Sequence, residues 1–182
     1  MDGHVSDAFR LLLREAQNTV RIEREWEAIL WVKDPSEDAQ LTAVSNWAHA
    51  LGHITDPSEA VQLAAVTRDG YAIGNITDPS EQLQLATVTR SGRAIRYIRN
   101  PSEEVQLAAV TQNGYAIEYI GSPSEQVQLT AVTQNGNAIN YIKGPSEEIQ
   151  LAAVTQYGGA IQYIEDPSEA VKRAAQRSKS HV

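Results

Sequence analysis

His49 and His53 stand four residues apart, a spacing that places two imidazoles on one face of a helix, where they could chelate a metal. No third ligand is evident nearby in sequence. His4 and His181 lie at the chain ends, and cysteine is absent. Both positions also recur at intervals of 22 residues. The first column reads Glu27, His49, Tyr71, Arg93, Tyr115, Asn137, Gly159. The second reads Trp31, His53, Asn75, Tyr97, Tyr119, Tyr141, Tyr163. The histidines therefore read as repeat positions filled by histidine, and no metal or cofactor is expected.

The second column is rich in aromatics, and stacked repeats would align it along one edge. As a structural ladder, each tyrosine would pack its ring and leave its hydroxyl wet. As a recognition strip it would supply the residue types favoured at binding hot spots. In the second case the variable first column sets specificity. The candidate partner-binding residues are Trp31, His53, Tyr71, Arg93, Arg96, Tyr97, Tyr115, Tyr119, Tyr141 and Tyr163.

A basic patch adds to this picture. Five of the six lysines and arginines between residues 34 and 165 are Arg68, Arg90, Arg93, Arg96 and Arg99. They could pair with acids such as Glu81, Glu103 and Glu118, or meet an acidic partner or a phosphate. The recurring Ser-Glu pairs have no accompanying histidine. There is no phosphate loop, nucleophile elbow or zinc-protease motif. A non-catalytic protein is expected.

These residues must be carried by a repeat. All seven prolines, Pro35 to Pro167, are spaced 22 residues apart, which signals a stacked repeat architecture. Residue types preferred as helix N-caps precede the prolines: Asp34, Asp56, Asp78, Asn100, Ser122, Gly144 and Asp166. Proline would then occupy the first helical position, and the glutamate two residues on would close a capping box. A long helix of about 11–12 residues is expected to end at Gly70, Gly92, Gly114, Gly136 or Gly158, in a left-handed C′ conformation. A short second helix follows, as at Tyr115 to Ile120. The long helix is apolar nearly all round, as suits burial between neighbours. The recurring Gln40, Gln62, Gln84, Gln106, Gln128 and Gln150 would form a hydrogen-bond ladder between repeats.

The segment Pro-Ser-Glu-Glu-Val-Gln-Leu-Ala-Ala-Val-Thr-Gln-Asn-Gly-Tyr-Ala-Ile-Glu-Tyr-Ile at 101–120 resembles a family of short alpha-helical repeats classed as a domain of unknown function. That family occurs in bacterial, phage and large-virus proteins. The resemblance covers about residues 34–175. It rests on the proline, the Val/Leu/Val spacing, the Asn-Gly turn and the aromatic recurring together. It implies an all-α repeat fold and no catalytic residues. This chain departs by placing Asp, Ser or Gly before proline and Ile where Leu is usual.

The expected fold is an all-α, right-handed α-solenoid. Residues 1–33 form an N-terminal helical capping segment with two helices over 6–33, 34–165 form six repeats, and 166–182 form a C-terminal capping helix and tail. A single repeat cannot bury its own apolar face, so only the stack is stable. The net charge is −8. Residues 34–165 contribute −9, from fifteen acids and six bases, which disfavours direct nucleic-acid binding. No apolar run is long enough for a membrane span, and no signal peptide is evident, so a cytoplasmic location is expected. The functional expectation is a protein that binds another macromolecule, most simply a protein, through its short-helix face. Alternatives are a phage- or bacterium-derived inhibitor that occludes a target enzyme or nucleic-acid complex, and a self-assembling structural protein forming homo-oligomers.

Overall fold

The computed structural model describes residues 31–179, together with Arg14 and Ile29. The expected N-terminal capping helices, Glu27 and the last three residues lie outside the described residues. Among the described residues the chain is all-helical, with no strands. Regular pairs of an α-helix and a 3-10 helix pack in sequence, and the fold class is an all-α solenoid.

Contacts group the chain into two units, residues 1–78 and 79–182. The N-terminal unit holds the long helices Glu37–Asn46 and Glu59–Arg68, with the 3-10 helices Ala48–His53 and Gly70–Asn75. The C-terminal unit holds long helices Glu81–Arg90, Glu103–Gln112, Glu125–Gln134 and Glu147–Gln156, and the final helix Glu169–Lys179. Its 3-10 helices are Gly92–Tyr97, Gly114–Tyr119, Gly136–Tyr141 and Gly158–Tyr163. In this unit the long helices pack on one another in sequence, and from Glu103–Gln112 onward each also packs on the short helix of the preceding repeat.

The long helices begin two residues later than expected. The N-cap is the serine after each proline, not the residue before it. Ser58 Oγ accepts from the Val61 N–H, Ser102 from Val105 and Ser146 from Ile149, each at 3.4 Å. Proline therefore lies outside the helix. The residue preceding it turns the chain through the left-handed region at Asp34, Asp56, Asn100, Gly144 and Asp166, with φ between 48° and 59°. Asp, Asn and Gly tolerate that region best, and they are also common N-caps. One residue preference therefore fits both assignments.

The helix-start glutamates do not form capping boxes where their bonds are seen. They accept hydrogen bonds from the N-cap serine of the following repeat. Ser58 Oγ donates to Glu37, and Ser124 Oγ to Glu103. Ser146 donates to Glu125 at 3.2 Å and Ser168 to Glu147 at 2.6 Å. Each such serine hydroxyl thus caps its own helix and ties it to the previous repeat.

The recurring glutamines are corrected in the opposite sense. Gln40, Gln62, Gln84, Gln106, Gln128 and Gln150 bind within their own repeat. Each Nε2 donates to the carbonyl of the proline five residues earlier, at 2.9–3.1 Å. The ladder between repeats is made by a different column. Gln112, Gln134 and Gln156 accept the backbone N–H of Gly92, Gly114 and Gly136 at 2.7, 2.7 and 2.6 Å.

These glycines are not left-handed helix stops. They open the 3-10 helices, after an extended residue such as Asn113 (φ −153°, ψ 107°) ends a long helix of ten residues. Close approach explains them. A Cβ on Gly114 would lie 2.5 Å from the Ala131 carbonyl oxygen and 2.7 Å from Gln134 Oε1. Glycine lets the next helix press its backbone against the turn.

The core runs along these contacts. Val105, Ala109, Val110, Ala116 and Ile117 are buried in one repeat, and their equivalents in the other repeats are buried too, except Ile161, which is partly exposed. Thr87 takes an alanine position and remains satisfied, because its Oγ1 donates to the Leu83 carbonyl at 2.8 Å. The final helix closes the C-terminal unit. It buries Val171 and Ala175 and leaves Lys172, Arg173 and Arg177 exposed. Ser178 Oγ takes the glutamine's place, accepting from the Gly158 N–H at 3.2 Å.

Candidate interaction surface

The short-helix layer divides its residues by role. Ala116 and Ile117, with the following Ile120, are buried, as the spacing predicts. Asn113 is not free to face a partner. Its Oδ1 accepts the Tyr115 N–H at 3.0 Å, and Asp69 and Asn135 do the same for Tyr71 and Asn137. Gln112 is likewise committed to Gly92. The side chains left over are the two columns singled out by the repeat.

In the N-terminal unit these columns gather around an indole. His53 stacks on Trp47, with ring centroids 5.8 Å apart and planes 24° apart. His49 meets the same ring edge-on at 6.3 Å and lies 3.5 Å from the Asp69 carboxylate. Among the described residues, no group of three or more His, Asp or Glu side chains is placed to hold a metal. Trp31 is 77% exposed and Tyr71 38% exposed.

In the C-terminal unit the structure brings most of the predicted residues together. Arg93 Nη2 donates to Glu118 Oε2 and to the Tyr119 hydroxyl, both at 2.9 Å. Its guanidinium also lies 5.5 Å from the centre of the Tyr119 ring. The hydrogen bond to Tyr119 is the main cause that raises the Arg93 pKa above its ordinary value. Glu118 adds to the rise and partial burial opposes it. Arg96 lies over Tyr97 at 5.0 Å and over Tyr119 at 5.6 Å. These are cation–π distances, so Arg93 and Arg96 spread two cations across Tyr97 and Tyr119. Of the expected pairings to Glu81, Glu103 and Glu118, only Arg93 to Glu118 is an ion pair among the described residues.

Tyr115 packs edge-to-face on Tyr141, with centroids 6.1 Å apart. Beside them opens a cleft of ≈ 260 Å³, lined by Arg93, Tyr115, Asn137, Asn140, Tyr141 and Tyr163. Tyr97, Tyr141 and Tyr163 are each about 40% exposed. Asn137 and Asn140 were not among the predicted site residues. Their only signal in the sequence is that both stand at positions where the copies differ. Asn137 Oδ1 is buried and accepts no hydrogen bond.

No helix among the described residues is long and apolar enough to cross a membrane. Comparison with protein-family models, curated proteins and solved structures finds no match.

Proposed function

We propose that this chain is a non-catalytic repeat protein that binds a protein partner through its short-helix face. The observation that carries this reading is the division of labour within each repeat. Helix starts, turns and stacking contacts are committed to the scaffold, whereas exposed tyrosines and arginines collect on the short helices. Tyrosine and arginine are the residue types that dominate binding energy at protein interfaces. The acidic body works against phosphate-backbone binding, so a protein partner is the better fit. A cytoplasmic setting agrees with the absence of cysteine.

The test is a triple variant, Tyr97→Ala, Tyr119→Ala and Tyr141→Ala, compared with the wild type in an affinity capture read by mass spectrometry. Circular dichroism checks that the variant remains folded. A partner enriched by the wild type and lost with the folded variant supports the reading. The same partner retained at equal yield overturns it.

A further inference from the structure

We infer that Arg96, laid on the Tyr97 and Tyr119 rings beside Arg93, is the receptor for a carboxylate side chain of an acidic partner segment, a step that rests on the reading above. Two guanidinium groups share one ring. Arg93 lies 5.5 Å and Arg96 5.6 Å from the centre of Tyr119, and Arg96 is also 5.0 Å from the centre of Tyr97. Cations gathered this way repel one another unless an anion stands near. Glu118 supplies one carboxylate, and it is held by Arg93, which the Tyr119 hydroxyl also fixes in place. Arg96 is exposed and makes no ion pair among the described residues. The cluster therefore has two cations and one anion, and the unbalanced charge is that of Arg96.

Geometry and charge together select the occupant. A guanidinium carries five N–H donors and no acceptor, and its fork matches a carboxylate through two parallel bonds. The two rings hold Arg96 in place before a partner arrives, so less side-chain freedom is lost on binding. From Arg90 to Arg99 the chain carries four arginines and no acid, whereas the rest of residues 34–165 carries fifteen acids and two bases. Arg90 and Arg99 are exposed and unpaired among the described residues, like Arg96. A basic partner would be repelled from this stretch. A nucleic acid would carry its phosphates past the arginines onto the acidic remainder of the body, where repulsion opposes it. A short acidic segment places its carboxylates among the arginines, and beyond about 8–10 Å the surrounding charge is screened at physiological salt.

The experiment titrates the full chain with a blocked tetraglutamate peptide, and separately with its tetraglutamine counterpart and a short oligothymidylate, while following arginine Nε–H and tyrosine ring signals by NMR. Tetraglutamate is expected to shift Arg96, Tyr97 and Tyr119 together, saturably, and more weakly as salt rises. Tetraglutamine is expected to leave them unmoved. Arg96→Gln should weaken tetraglutamate binding by about fivefold, the upper range for an exposed ion pair. Arg99→Gln removes the same charge from a side chain that rests on neither ring, and should weaken it by less than about twofold. Equal binding of tetraglutamine, absence of a saturable shift with tetraglutamate, or equal losses in Arg96→Gln and Arg99→Gln each overturns the inference. Tighter binding of oligothymidylate than of tetraglutamate overturns it in favour of a nucleic acid. If tetraglutamate fails to bind while the triple tyrosine variant still loses its partner, the carboxylate inference falls and the surface reading stands. If tetraglutamate binds through Arg96 while the triple variant keeps its partner, the surface reading falls instead.

Discussion

The two units build their helix starts alike and their short-helix layers differently. In both, the serine caps, the glutamine-to-proline bonds and the serine-to-glutamate ties are in place. The difference lies at the other end of the long helices. The C-terminal unit opens its short helices with Gly92, Gly114 and Gly136, each N–H held by a glutamine of the next repeat. The N-terminal unit opens its second short helix with Gly70 as well, but its first with Ala48, and Arg68, which has no acceptor, stands in the glutamine column one repeat after Ala48. A Cβ on Gly114 would come within 2.7 Å of Gln134 Oε1, so alanine and the glutamine bond exclude one another at one step of the stack. One edge of the repeat is thus held constant, while the other admits variation, as at Ala48 and Arg68.

The largest effects should be common to both units. Leu51 and Ile117 occupy the same register in the two short-helix layers and are almost fully buried. Leu51→Ala and Ile117→Ala should each cost about 2–5 kcal/mol in urea unfolding. A cost well under 1 kcal/mol at either position would mean that its layer does not share the core.

Gly114→Ala breaks the symmetry. The added methyl meets a backbone carbonyl, and overpacking of this kind costs about 1–3 kcal/mol. In the N-terminal unit the alanine is native, so Ala48→Gly should cost less than about 1 kcal/mol.

Gln134→Ala leaves the Gly114 N–H without its partner and should cost about 1–3 kcal/mol. The sharper form is a double-mutant cycle in the N-terminal unit. Arg68→Gln alone should gain nothing, whereas Arg68→Gln with Ala48→Gly should recover a coupling of about 0.5–1.5 kcal/mol. Additive single effects would show that the two columns are independent.

Ser58→Ala and Ser124→Ala should cost about 0.5–2 kcal/mol each, by loss of an N-cap. Equal values in the two units are the expected result, because this edge is the shared one. The smallest effect should come from Glu118→Gln. Arg93 and Glu118 are both partly exposed, and such pairs contribute no more than about 1 kcal/mol, diminishing with salt.

The repeat architecture was legible because period, proline and apolar spacing all report the same packing. The exact helix start was not. Asp34, Asp56 and Asn100 suit an N-cap and a left-handed turn equally well, so residue type alone could not choose between them. Gly114 posed the same difficulty, since a left-handed stop and a close approach both call for glycine. Only the position of Ala131 in the next repeat separates the two readings. The amide bonds were ambiguous for a different reason. Gln106 and Gln112 are chemically identical, and which one reaches a neighbour depends on where each leaves the helix. At the candidate surface, the columns of Tyr119 and Tyr115 were visible as a period. The pairing of Arg93 with Tyr119, and the orphaned Asn137 Oδ1, arise from contacts between repeats that no single copy encodes.

The ties between repeats also have a direction. In the C-terminal unit, the later repeat supplies the serine proton that reaches back to the earlier glutamate, and the glutamine oxygen that receives the earlier glycine N–H. In this unit a repeat such as the one opened by Glu103 is therefore completed by its successor. On a ribosome, where the chain emerges from its N-terminus, each arriving segment carries the groups that close the segment before it. Growth of the stack would then resemble a zipper drawn in the order of translation, with Ser168 and Ser178 supplying the last of these ties among the described residues.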